Sequence, residues 1–157
     1  MQNNSLTAGA WQRGDPSGDG TRGDPTDDYD GGGQCYLTQN GAGDTDVDGG
    51  PTTLISPMVD LSAGDATLQY AYWYTRDDQD GIDTLYVEVS VNGGGSWTQV
   101  AQHATSASVW RTNSVSLDSY VTPSAITQVR FRVADNPNNS VIEAGIDAVS
   151  FSLACPD

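Results

Sequence analysis

Apolar and polar residues alternate along several stretches of this chain, and the period of two marks strands of which one face is buried. From Thr67 to Thr75, Leu68, Tyr70, Tyr72 and Tyr74 fall on one side and Gln69, Ala71, Trp73 and Thr75 on the other. Leu85 to Val91 is the cleanest case: Leu85, Val87, Val89 and Val91 face a core and Tyr86, Glu88 and Ser90 oppose them. Asn92-Gly93-Gly94-Gly95 supplies a hairpin turn, and Trp97 to Val100 the returning strand. Further strands are predicted at Cys35–Thr38, Thr53–Ile55, Pro57–Leu61, Val109–Leu117 and Ile126–Val133. The Ile126–Val133 strand puts Val129, Phe131 and Val133 inward and Arg130 and Arg132 outward. Val141 to Asp147 follows, leading into an inward row of Val149, Phe151 and Leu153. Residues 1–34 lack such periodicity and read as mostly loop packed on the rest.

Eight to ten short strands with turn signals between them, and no helical stretch, predict an all-β fold: an antiparallel β-sandwich of jelly-roll type with long polar loops. The 157 residues fit a single module. Glycine at 18 positions and proline at 7 agree with many turns. Arg13-Gly14-Asp15-Pro16 and its repeat Arg22-Gly23-Asp24-Pro25 each read as one.

Charge changes the picture more. Twenty-one acids stand against six arginines and no lysine, a net charge of −15. Such a surface repels nucleic-acid phosphates and anionic lipid, so neither is expected as a partner. The acids cluster, and Asp44-Thr45-Asp46-Val47-Asp48-Gly49-Gly50 is the sharpest cluster. Alternate aspartates followed by glycines suit a hard cation, which takes many oxygen ligands around a tightly turned backbone. A helix-loop-helix calcium site is excluded, because the twelfth position counted from Asp44 is Ile55 where a bidentate glutamate is needed. Asp44, Asp46 and Asp48 must then recruit oxygens from elsewhere. Asp147, in register with the inward row, and Glu143 are the candidates, with calcium as the cofactor. The acidic loop from Asp77 to Asp83 reads as a solvated hairpin tip.

Candidate binding residues follow from the strands. Tyr70, Tyr72 and Tyr74 form either an exposed aromatic face, which stacks on sugar rings, or part of the core. If the neighbouring strands lie close, Tyr86, Glu88, Arg130 and Arg132 join that face. Catalytic patterns are lacking: there is no nucleophile elbow and no phosphate loop, and the one histidine, His103, reads as a surface-loop residue. The chain is therefore expected not to be an enzyme. Cys35 and Cys155 either form a disulfide, closing a loop of about 120 residues, or remain two thiols. The first residues lack the basic and apolar regions of a signal peptide, and Met1 reads as the start of a segment cut from a larger protein.

The segments Trp11–Pro16, Cys35–Thr38, Asp46–Leu54, Ser56-Pro57, Val87–Ser90, Gly94–Trp97 and Val141–Asp147, in this order, resemble the non-catalytic jelly-roll modules appended to secreted bacterial enzymes, notably zinc carboxypeptidases. The chain is more distantly similar to MAM and cleaved-adhesin domains. The resemblance implies a secreted, monomeric, calcium-stabilised module that binds a polysaccharide or glycan beside a parent catalytic domain. The alternative is a structural or adhesive protein-contact module without a sugar site. Two positions depart from the pattern: Ala148 stands where an aspartate is common and Ala71 where a tryptophan is common.

Overall fold

A computed structural model describes residues 1–77 and 82–154. Among these residues the chain forms eleven strands: β1 (Gln2–Asn3), β2 (Leu6–Ala8), β3 (Trp11–Gly14), β4 (Cys35–Thr38), β5 (Asp48–Ile55), β6 (Ala66–Arg76), β7 (Leu85–Ser90), β8 (Thr98–His103), β9 (Ala107–Ser116), β10 (Gln128–Asp135) and β11 (Ile142–Leu153). One 3-10 turn, Leu117–Ser119, follows β9. No helix is long and apolar enough to cross a membrane among the described residues. The first sheet has the order β1-β5-β10-β7-β8, with β2 also on β5, and the second has the order β3-β4-β11-β6-β9. Every strand pair is antiparallel. Two packed antiparallel sheets are the expected β-sandwich.

Alternation decides which side chains fill the space between the sheets. Leu68, Tyr70, Tyr72 and Tyr74 of β6 meet Leu85, Val87 and Val89 of β7 and Val129, Phe131 and Val133 of β10 in one buried cluster. Tyr70 sets its ring edge-on to Phe131 at 5.2 Å between centroids. The tyrosines of β6 therefore belong to the core and not to an exposed platform: Tyr70 and Tyr74 are 2% and 0% exposed. His103 is likewise no surface-loop residue. It ends β8, and its ring stacks on Tyr72 at 3.6 Å with Arg111 over the same tyrosine at 4.7 Å.

Three further expectations are corrected. The first 14 residues contain three strands, which pair through backbone bonds at sheet edges and are too short to show a period. Pro57–Leu61 is no strand: Val59 makes a single bridge to Thr127, and Pro57 has no N–H to extend a ladder. The third concerns β11. Register with β6 slips between Asp147 and Ser150, where Ala148 adopts φ 48°. This bulge reverses the alternation, so Phe151 pairs with inward Leu68 while Asp147 pairs with outward Ala71. Asp147 thus shares the outer face with Glu143 and is not in the inward row.

Candidate functional site

The outer face of the second sheet is covered by residues 15–34. Trp73 Nε1 and Thr75 Oγ1 both donate to the Gly23 carbonyl, at 2.6 and 3.0 Å. Trp110 Nε1 donates to the Asp27 carbonyl at 2.8 Å, and the Tyr29 N–H donates to Asp147 Oδ2 at 3.0 Å. Gly145 makes room for this layer, because a Cβ there would lie 2.8 Å from Trp110 Cη2. Cys35 is buried, and burial raises its thiol pKa to about 12, with nearby Asp147 and Asp28 adding to the effect. The other cysteine, Cys155, like Asp78 and Asp80 of the second acidic loop, lies outside the described residues. Beside the loop, Tyr29, Gln69, Ala71, Thr112, Ala148 and Ser150 line an open concavity. The small residues at 71 and 148 therefore thin this outer face and leave the core whole.

The five acids read as one metal site are divided by the fold. Asp46 and Asp44 are bridged by Arg22, whose Nη2 lies 2.5 and 2.9 Å from their Oδ1 atoms. Asp44 is almost fully solvated, and Asp48 sits at the start of β5. Val47 N–H donates to the Ile142 carbonyl, which brings the loop to the start of β11 beside Glu143. Asp147 lies four residues further along that strand, about 13 Å away. There it joins Asp28 and Asp30, with one carboxylate oxygen from each within 4.8 Å of the others. Neither Asp28 nor Asp30 stood out in the sequence, since nothing in their spacing tells them from the other acids of residues 15–30.

Beside the first of these clusters, Glu143 is a buried carboxyl, 1% exposed, with one oxygen, Oε1, left without a hydrogen-bond partner. Thr38 Oγ1 donates to Oε2 at 2.7 Å. Burial raises the Glu143 pKa to about 8; the Thr38 bond opposes this, and Asp24 and Asp46 add to it. Burial also raises Asp46, against the hydrogen bond from Arg22. Leaving a carboxylate oxygen buried and unpaired costs free energy that a bound cation removes.

The outer face of the first sheet carries a different arrangement, and among the described residues no loop corresponding to residues 15–34 bonds across it. Register places Arg132 opposite Tyr86, and Arg130 opposite Glu88. Arg132 stands over the Tyr86 ring at 4.9 Å and Arg130 over the Trp97 ring at 4.4 Å. Between them Glu88 accepts from Arg130 Nε at 2.6 Å and from Arg132 Nε at 3.2 Å. Burial alone would raise the Glu88 pKa, but the two guanidinium groups hold it below the usual value. The result is a row of aromatic ring, guanidinium, carboxylate, guanidinium and aromatic ring, flanked on β8 by Gln99 and Gln102. Tyr86, Glu88, Arg130 and Arg132 thus come together as expected, but on the sheet opposite the tyrosines of β6. Trp97 was not assigned to this face from the sequence. Its place two residues beyond the glycine turn, where the hairpin returns toward Arg130, is the signal that could have assigned it.

No family model matches the sequence, and no curated protein matches it. Solved structures do resemble the fold. A module described as TmCBM61 in complex with β-1,4-galactotriose superposes with a TM-score of 0.60 at 11% identity, over 98% of this chain and 88% of that one. The K2 cleaved adhesin domain of Lys-gingipain gives 0.56 at 22% identity, over 94% of each chain. A family 30 carbohydrate-binding module of a cellulosomal cellulase of Clostridium thermocellum gives 0.52 at 13% identity, over 99% and 100%. The chain has the β-sandwich fold found in carbohydrate-binding modules and cleaved adhesin domains.

Proposed function

We propose that this chain is a non-catalytic carbohydrate-binding module whose binding face is the outer surface of the first sheet. The observation that carries the reading is the row Trp97, Arg130, Glu88, Arg132 and Tyr86. Sugars present apolar C–H faces and hydroxyl edges, so a complementary surface needs half-exposed aromatic rings beside fixed donors and acceptors. Here two arginines and a carboxylate are held by one another before any ligand arrives, which reduces the ordering cost of binding. The bound galactotriose of the similar module supports the ligand class, and the acidic surface agrees with a neutral glycan.

In this reading the module is secreted, acts as a monomer and holds a parent enzyme near its polysaccharide. Calcium stabilises it by joining the residue 15–34 layer to the acidic end of β11, where Glu143 is the residue that fits the ion. The calcium would supply only charge compensation and cross-linking.

Affinity electrophoresis through gels containing galactan, xylan, β-glucan or mannan tests the proposal. Wild-type protein is expected to be retarded by at least one of them. Trp97→Ala and Tyr86→Ala are expected to lose about tenfold or more in affinity, the equivalent of about 1.4 kcal/mol, while still folding. Unretarded wild-type protein, or variants that bind as tightly as wild type, would reject this face. Silence on every polysaccharide would favour the adhesive alternative, to which the cleaved adhesin fold lends support.

A further inference from the structure

The row on the outer face of the first sheet carries more positive charge than its own contacts use. Glu88 is its one carboxylate, and two guanidinium groups converge on it. Those groups hold Glu88 below the usual carboxylate range, so it stays ionised at neutral pH. Two guanidinium groups against one carboxylate leave a surplus of one positive charge. Register sets Gln2, Thr53 and Ile55 on one side of the arginines and Gln99 and Gln102 beyond Glu88 and Tyr86 on the other, and none of these is charged. In a chain of net charge −15 this face is locally cationic.

The guanidinium groups are also only partly engaged. Arg130 donates Nε to Glu88 Oε2 at 2.6 Å, and Arg132 donates Nε to the same oxygen at 3.2 Å and Nη2 to Oε1 at 3.3 Å. Among the described residues, both Nη atoms of Arg130 and Nη1 of Arg132 have no hydrogen-bond partner. Each arginine therefore keeps its Nη1–Nη2 edge for a ligand, a planar fork that matches a carboxylate with two parallel hydrogen bonds. The rings of Trp97 and Tyr86, at 4.4 and 4.9 Å from the two guanidinium carbons, hold the forks in place.

We infer that this face recognises a uronic acid residue of its polysaccharide, the sugar carboxylate being received by the Nη edges of Arg130 and Arg132. The inference rests on the carbohydrate reading above and narrows its ligand class. A neutral hydroxyl also accepts from arginine, but it leaves the surplus charge uncompensated, whereas a carboxylate forms the shorter and stronger charge-assisted bonds. The acidic remainder of the surface repels a polymer charged at every residue. Screening over about 8 Å at physiological salt shields a single uronate from all but the nearest groups. A chain of neutral sugars with occasional uronates meets both conditions.

Titration calorimetry tests this with glucuronoxylan and with an acidic arabinogalactan, each compared with the same polymer after its carboxyl groups are reduced to alcohols. Wild type is expected to bind at least one uronate-bearing polymer about tenfold or more tightly than its reduced form. The preference is expected to shrink as sodium chloride rises from about 0.02 to 0.5 M. Arg130→Gln and Arg132→Gln are each expected to bring the ratio below about threefold, and Arg130→Lys, which keeps the charge without the fork, to give an intermediate ratio. The wild-type comparison needs no variant, so a variant that does not fold leaves the test in force. A wild-type preference that both glutamine variants retain would overturn the assignment to this face. Wild type that binds a reduced polymer, or any neutral polysaccharide of the gel series, without showing that preference would overturn the inference and leave the carbohydrate reading in place. Absence of binding to every polymer, charged or neutral, would overturn both.

Discussion

His103 is the clearest case of a residue whose chemistry is set by its surroundings. Asn113 Nδ2 donates to the Tyr70 hydroxyl at 2.8 Å, which leaves the phenol proton for His103 Nε2 at 2.9 Å. Burial, with the Arg111 charge nearby, lowers the imidazole pKa to about 4. An imidazole that stays neutral in the fold but protonates near its ordinary value when unfolded contributes stability above about pH 6.5. That contribution is lost as pH falls from about 6.5 toward 4. His103→Gln is therefore expected to flatten the wild-type decline of Tm over this interval; equal slopes for both proteins in melts taken every half unit would contradict the assignment. Arg22-Gly23-Asp24 carries more than the turn it suggests in sequence. Arg22 pairs with two aspartates, the Gly23 carbonyl receives Trp73 and Thr75, and Asp24 lines a small cavity with Glu143. Gly23 has φ 87°, and a Cβ there would stand 2.6 Å from Thr75 Oγ1. Replacing it with alanine should destabilise the fold by about 1–3 kcal/mol, read as a shift of the urea midpoint.

Among the elements, β11 joins the core to both acidic clusters. Its first half buries Ile142, Ala144 and Ile146 and presents Glu143 and Asp147 to the covering layer. Its second half reverses at Ala148. A left-handed conformation costs a non-glycine residue about 1–2 kcal/mol. Ala148→Gly is thus expected to be neutral or to stabilise the protein by up to about 1 kcal/mol in chemical denaturation; a clear loss would mean that the methyl group itself matters. Strands β6, β7 and β10 were legible because each turns its apolar side chains to the core on one face, which enforces the period of two. β1, β2 and β3 were not, because edge pairing of two to four residues depends on backbone hydrogen bonds that any side chain permits.

For the molecule as a whole, the net charge of −15 opposes compaction. Among the described residues, Arg22 on one side and Arg130 and Arg132 on another answer part of it. Screening shortens the range of the remaining repulsion. Raising sodium chloride from about 0.01 to 0.15 M should therefore raise Tm by a few degrees, where about 2–4 °C corresponds to 1 kcal/mol in a chain of this size. A fall in Tm over that range would show that the ion pairs outweigh the repulsion. The two outer faces divide the labour: one is covered and structural, and the other is open and carries the aromatic and guanidinium row.

By itself the sequence determined the all-β class, the inward sets of β6, β7 and β10, the outward set of Tyr86, Glu88, Arg130 and Arg132, and the concentration of acid. Each of these follows from local alternation or from composition, which requires no knowledge of what lies across the sheet. Tertiary structure decided everything that depends on which surfaces meet. It buried the tyrosines of β6 because the open face belonged to the other sheet. It separated Asp147 from Asp46 because Asp46 packs at the start of β11 while Asp147 lies further along that strand, and it put Asp147 outside the inward row because a single-residue bulge changes side without any mark in the hydrophobic pattern. It also brought Asp24 to Glu143 across 119 residues of chain, and a pairing so remote leaves no periodic trace in either segment.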